Sequence, residues 1–195
     1  FNGALTPLLI FFFETKLLTN KLPKEYNFNN LMAAIATGMF FSVPAQTINR
    51  TIANYIPQNN RSQQIQTKTN HIILDAYNAN PSSVGEAIAS FVGHEFKDSW
   101  LILGDMFELG PTSDEQHRKI GEKCSEMGLD GVFTVGEHTV HTDSAIQNGV
   151  VHEHFSSRES LIESLKNTVN PGDKILFKGS RGMAMEKVIE GVFSL

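Results

Sequence analysis

The chain has 195 residues, 41 % hydrophobic and 19 % charged, with a formal net charge of −5 at pH 7. That apolar share is enough for a packed core and excludes a disordered chain, while the acidic balance excludes binding of nucleic acid through a broad basic face. The single cysteine, Cys124, excludes an internal disulfide framework and a multi-cysteine metal site, and the longest apolar run, residues 8–13 (LLIFFF), is far below the roughly 20 residues that span a bilayer.

Residues 8–13 read as a buried strand and residues 16–19 as a shorter one. Residues 30–42 (NLMAAIATGMFFS) have the length and apolar content of a buried helix, interrupted by Pro44, and residues 45–55 form a second helix with Ile48 and Ile52 four apart. Two strands and two helices are too little for an independent domain of this type. Residues 1–60 therefore read as the tail of a sheet domain, followed by a polar linker, PQNNRSQ (57–63). The sequence opens Phe-Asn-Gly, without an initiator methionine or a signal-peptide pattern, which points to a piece of a larger cytoplasmic protein.

Beyond the linker, strands and helices alternate. Residues 63–67 have the pattern of an edge strand, and 71–75 (HIILD), 100–104, 131–135, 150–155 and 174–178 read as further strands. Residues 81–91, 113–127, 137–147, 157–169 and 183–192 read as helices. This is the signature of βαβ units: an α/β, Rossmann-like, mostly parallel sheet flanked by helices, over residues 61–195. Asn80 before Pro81 is an N-cap followed by proline at the first helical position, and Ser113 to Gln116 has the form of a capping box.

In such a sheet, ligands bind beyond the carboxyl ends of the strands. Three strands there run into polar loops: AYNANP (76–81), GDMFELG (104–110) and KGSRGM (178–183). These loops are expected on one edge, lining one pocket. Asp75 either accepts two hydrogen bonds from a ribose diol or caps a strand end. Asn78 and Asn80 offer amide groups, and Asn80 also suits a cap. Asp105 and Glu108 are either acidic site groups or members of a solvated turn. Lys178 and Arg181 lie among glycines just before a helix, either as an anion site with free backbone N–H groups or as surface charges on a turn. Asn27 and Asn30 precede the first long helix, where capping suits one of them. Arg61, in the linker, either reaches a phosphate when two lobes close or is solvated.

The histidines are weaker candidates. His152 and His154 share a strand face, and His138 and His141 are three apart, but no cysteine or carboxylate joins them at zinc-ligand spacing. His117 reads as a packed or surface residue and Cys124 as a buried apolar one. The sequence has no G-x-x-x-x-G-K-[ST] and no G-x-G-x-x-G, which disfavours a nicotinamide-dependent oxidoreductase and puts any triphosphate cradle elsewhere.

Taken together, DAYNANP (75–81), LGDMFELG (103–110) with SDEQH (113–117), and FKGSRGMAME (177–186) resemble the C-terminal domain of the Mur ligase family. The likeness is to the branch that joins D-Ala-D-Ala to UDP-N-acetylmuramoyl-tripeptide. YNFNNLMAAIATG (26–38) and NNRSQ (59–63) resemble the end of that family's central ATPase domain and the junction behind it. Tyr26 stands where many members have histidine; its ring can still stack on adenine. The resemblance implies a cytoplasmic ligase of peptidoglycan precursor synthesis that uses ATP and Mg to activate the tripeptide carboxylate as an acyl phosphate. It implies adenine contacts from Asn27 and Asn30, phosphate contact from Arg61 as the catalytic cation, and ribose contact from Asp75. It implies an acceptor pocket around Asn78, Asn80, Asp105, Lys178, Ser180 and Arg181. The P-loop and the Mg ligands would lie outside this chain, which is expected to be inactive alone, with no obligate protein partner. The alternatives are a Mur-type ligase with a different acceptor and a non-catalytic nucleotide- or peptide-binding module.

Overall fold

The computed structural model describes residues 28–92 and 98–193. The strands expected at 8–13 and 16–19 lie outside the described residues. The chain divides into two compact units, Phe1–Pro57 and Gln58–Leu195.

In the first unit, α1 (Phe28–Phe40) and α2 (Ala45–Ala53) form a helical hairpin. The pair begins two residues earlier and ends two residues sooner than the sequence suggests. Pro44 separates the helices and accepts the first bond of α2 from Thr47 N at 2.9 Å. Ile35 and Ile48 are buried, with Leu31, Met32 and Ile52 packed against them. Gly38 permits the close crossing, because a Cβ there would lie 2.9 Å from Ile48 Cδ1.

The second unit holds six strands: β1 (Gln63–Gln66), β2 (His71–Asp75), β3 (Ser99–Gly104), β4 (Gly131–Val135), β5 (Val151–Phe155) and β6 (Lys174–Lys178). Their order is β1-β2-β6-β3-β4-β5, with β1 antiparallel to β2 and every other pairing parallel. This is the expected fold class. Alternating side chains feed two cores. Ile72, Ile102, Phe133, Ile175 and Phe177 face α6 (Arg158–Thr168) and α7 (Glu186–Val192). Leu101, Leu103, Val132 and Leu176 face α3 (Pro81–Val92) and α4 (Ser113–Glu126). β3 is buried throughout because both faces are covered.

Asn80 caps α3 as expected: its Oδ1 accepts from Ser83 N at 2.8 Å, and Ser83 Oγ accepts from Asn80 N at 3.1 Å. Three local expectations are corrected. The helix expected at 137–147 is one turn, α5 (Val140–Asp143), because the N–H groups of residues 137–139 are bonded to the Asp105 carboxylate. The last helix is split: a 3-10 turn (Arg181–Met183) is closed by Ala184 in left-handed backbone at φ 47°, and α7 starts at Glu186. The capping box at 113–116 is absent. Ser113 is the first residue of α4, behind a 3-10 turn (Gly110–Thr112), and its hydroxyl lies 3.3 Å from His117 Nδ1.

Candidate functional site

β2, β6 and β3 are neighbours and parallel, so the loops that follow them leave from one edge, as the sequence implies. Backbone and side-chain bonds join these loops. Ser180 N donates to Asp105 O at 3.0 Å, and Phe107 N donates to Ser180 Oγ at 2.8 Å. Gly179 permits this approach, since a Cβ there would sit 3.1 Å from Gly104 Cα. From the other side, Met106 N donates to His117 Nε2 at 3.1 Å. The opposite ring nitrogen, Nδ1, lies 2.9 Å from Ser113 O. Because Nε2 accepts, Nδ1 carries the proton and donates to that carbonyl. Burial pushes the His117 pKa down, a shift partly opposed by the Ser113 bond and the Asp105 charge. The ring is a neutral acceptor held in one tautomer.

Asp105 is buried, and its carboxylate accepts three backbone N–H bonds: from Glu137 at 2.9 Å, His138 at 3.0 Å and Thr139 at 2.9 Å. Gly136 makes room, at φ 134°, because a Cβ there would meet the carboxylate at 2.4 Å. Asp105 thus ties the β3 loop to the β4 loop. Glu108, its sequence neighbour, is exposed at φ 65°.

The two cations expected side by side are separated. Lys178 is buried; its Nζ pairs with Asp75 Oδ2 at 2.9 Å and donates to Asn78 O at 2.9 Å. Asp75 Oδ1 accepts from Ser62 N at 3.0 Å. The strand-end carboxylate is therefore anchored to the segment that carries Arg61, one residue away. The Arg61 guanidinium lies 3.7 Å from the centroid of the Tyr77 ring, a cation–π stack on an exposed side chain. Arg181 is also exposed; its Nη1 pairs with Glu186 Oε1 at 2.7 Å, and Glu186 Oε2 accepts from Asn60 Nδ2 at 3.0 Å. Arg181, Glu186, Asn60 and Tyr77 line a groove of about 540 Å³ floored by Leu74 and Ile189.

Asn78 Oδ1 accepts from the N–H of buried Ala79 at 2.8 Å, a half-buried turn contact from an exposed asparagine. Asn30 is exposed inside α1, so it is not a cap; Asn27 lies outside the described residues. His152 pairs with Asp143 at 2.9 Å and His154 with Thr134 at 2.9 Å. No group of three or more histidine, cysteine or acidic side chains suited to a metal occurs among the described residues. Cys124 is buried and its thiol is pushed up to about 12 by desolvation, which keeps it unreactive. Among the described residues no helix is long and apolar enough to cross a membrane.

A profile of the "Mur ligase, glutamate ligase domain" matches residues 60–181, the stretch that holds the first two loops and the third as far as Arg181. The chain belongs to the Mur ligase family. It is 35 % identical over 179 residues to the UDP-N-acetylmuramoyl-tripeptide–D-alanyl-D-alanine ligase of Escherichia coli, covering 88 % of this chain and 38 % of that protein. It is 32 % identical over 175 residues to the Bacillus subtilis ligase of the same name, covering 85 % of this chain and 37 % of that one. A crystal structure of MurF from Acinetobacter baumannii superposes with a TM-score of 0.77 at 25 % identity, over 86 % of this chain and 38 % of that one. The chain thus spans under two-fifths of the length of these Mur ligases.

Sequence reasoning about this Mur ligase chain missed three residues of the site: His117 as an acceptor for a loop amide, Glu186 as the partner of Arg181, and Tyr77 as the ring beneath Arg61. The Tyr77 signal was present, since an aromatic residue sits inside the AYNANP loop. The other two partners lie outside their loops, on α4 and α7, where they close the SDEQH (113–117) and FKGSRGMAME (177–186) motifs; the motifs were visible and the pairings were not.

Proposed function

We propose that this chain is the acceptor-binding C-terminal portion, with the end of the central domain, of an ATP-dependent ligase that joins D-Ala-D-Ala to UDP-N-acetylmuramoyl-tripeptide. The observation that carries the reading is the fastening of the β3 and β6 loops around Ser180, which holds the exposed Arg181 at the sheet edge where the family's branch-specific motifs meet. In this reading residues 1–60 end the ATPase domain, and residues 61–195 bring the acceptor.

Arg181 takes the dipeptide carboxylate, and the loops bearing Asn78, Asn80 and Ser180 border it. Asp105 acts through the frame, because its oxygens are occupied by backbone amides. Lys178 holds Asp75 in place, and the outer lone pairs of Asp75 face a ribose. Arg61, mounted on Tyr77, reaches the phosphates; Asn30, with Asn27, contacts adenine. The residues present suit the rim of a nucleotide site rather than its cradle, so ATP and Mg depend on the rest of the ligase. ATP supplies the activation of the tripeptide carboxylate as an acyl phosphate, which the dipeptide amine then attacks, releasing phosphate. An acyl phosphate hydrolyses in water, so orientation of the amine and exclusion of solvent are what this chain must provide. The substrates are cytoplasmic precursors of peptidoglycan.

The test is phosphate release by the full-length ligase given ATP, magnesium and UDP-N-acetylmuramoyl-tripeptide. Release that requires D-Ala-D-Ala, and is not supported by L-Ala-L-Ala or single amino acids, is the expected result. Release with another acceptor would keep the ligase chemistry and overturn the acceptor, and no release with any acceptor would leave a binding module.

A further inference from the structure

We infer that His117 is a positioning residue for the acceptor loops, acting through the Met106 amide. The inference rests on the reading of the sheet edge as the acceptor site. His117 touches neither the groove nor Arg181, and it is 1 % exposed on α4. Its Nε2 accepts the hydrogen of Met106 N, and the next amide, Phe107 N, donates to Ser180 Oγ. Ser180 N in turn donates to Asp105 O, and Ser180 precedes Arg181. One bond thus joins the α4 ring to the β3 loop, and two bonds join that loop to Ser180, the residue before the exposed Arg181.

The ring is fixed from its other side. Nδ1 donates to Ser113 O, with the Ser113 hydroxyl at 3.3 Å, and the His117 carbonyl accepts from Thr142 Oγ1 at 3.0 Å. The His138 ring packs 5.7 Å away, centroid to centroid. A ring locked at this many points sets the position of Met106 to within hydrogen-bond tolerance, and displacement of the β3 loop would carry Ser180 with it. A buried N–H left without its acceptor is expensive, so an apolar replacement would drive Met106 to seek another arrangement. The 104–110 loop has a path to one: Glu108 already uses left-handed backbone, and Phe107 and Glu108 are exposed.

The experiment compares His117→Leu with His117→Gln in the full-length ligase. Gln offers an amide oxygen near the place of Nε2, and Leu fills the space without an acceptor. In steady-state phosphate release, His117→Leu is expected to raise the KM for D-Ala-D-Ala about tenfold, with the KM for ATP changed less than about twofold. His117→Gln is expected to recover most of the acceptor KM. A fall in kcat with both KM values unchanged would mean only a smaller folded fraction and would overturn the inference, as would equal acceptor KM values in Leu, Gln and wild type. Failure of the wild type to require D-Ala-D-Ala would instead sink the functional reading and leave the bond chain to be judged by amide exchange. In the wild-type protein, slow hydrogen exchange at the amides of Met106 and Phe107 is expected, and exchange at the rate of an open loop would overturn the inference even if both variants failed to fold.

Discussion

Lys178 and Asp75 show how much of a site's order can rest on one buried ion pair. Their side chains are 3 % and 11 % exposed, and each is the other's counter-charge. Removing one leaves the other charge buried alone. Lys178→Met is therefore expected to lower the unfolding free energy by about 3–5 kcal/mol, measured by denaturant titration. Lys178→Met combined with Asp75→Leu is expected to recover a large part of that loss; a double variant as unstable as the sum of the two singles would show that the pair is not coupled. Arg181 is the opposite case. Its pairing with Glu186 is exposed, so Arg181→Ala is expected to change stability by less than about 1 kcal/mol. In the full-length ligase the same variant is expected to raise the acceptor KM more than that of ATP. A larger effect on ATP would move the β6 loop from the acceptor to the nucleotide.

At the scale of elements, α4 and the turn before α5 act as struts for the β3 loop. His117 titrates against burial, and its sign follows from that cause. Above pH 6.5 the folded and unfolded chains both hold the ring neutral; below it the unfolded chain binds a proton that the folded chain resists. The unfolding free energy is thus expected to fall as pH drops below 6.5, and His117→Gln to flatten part of that slope. Equal slopes in the two proteins would assign the dependence to other groups, with His71, also lowered by burial and by Lys174, first among them. Gly136→Ala is expected to cost about 2 kcal/mol, because the added carbon meets the Asp105 carboxylate and its φ suits glycine. Thermal unfolding checks it.

The same elements show what the sequence could and could not reveal. Strands such as 71–75, 131–135 and 174–178 were legible to the residue, since a buried parallel strand must be a short apolar run between turn signals. The capping of α3 was legible too, because Asn-Pro is a local device. The overlong helix at 137–147 and the missing capping box at Ser113 have different origins. In the first, a carboxylate 32 residues upstream takes the amides; in the second, a hydroxyl turns toward the histidine one turn along. Local pattern reading assumes that a segment's polar groups are satisfied nearby. At residues 137–139 they are satisfied across loops, and for that reason the motifs were visible while their wiring was not.

At the scale of the whole chain, the two units differ in what they bury. Gln58–Leu195 has an apolar layer on each side of its sheet, whereas the described helices of Phe1–Pro57 share a small cluster around Ile35 and Ile48. Residues 58–195 alone are expected to unfold in one cooperative transition, within a few degrees of the melting temperature of that unit in the full chain. A broad, non-cooperative melt of 58–195 would show that the second core depends on the first unit.

The fastening of the 104–110 loop has a consequence for what its surface can tolerate. The bonds that hold the loop use the main-chain atoms of residues 105, 106 and 107 and the Asp105 carboxylate, with partners on Ser180, on His117 and on the backbone of residues 137–139. The side chains of Phe107 and Glu108 are exposed and take no part in these bonds, although the Phe107 ring packs over Gly182. Frame and exposed side chains are thus interleaved along the same few residues. Replacement of the Glu108 side chain by asparagine, which tolerates its left-handed backbone, would leave every one of those bonds in place.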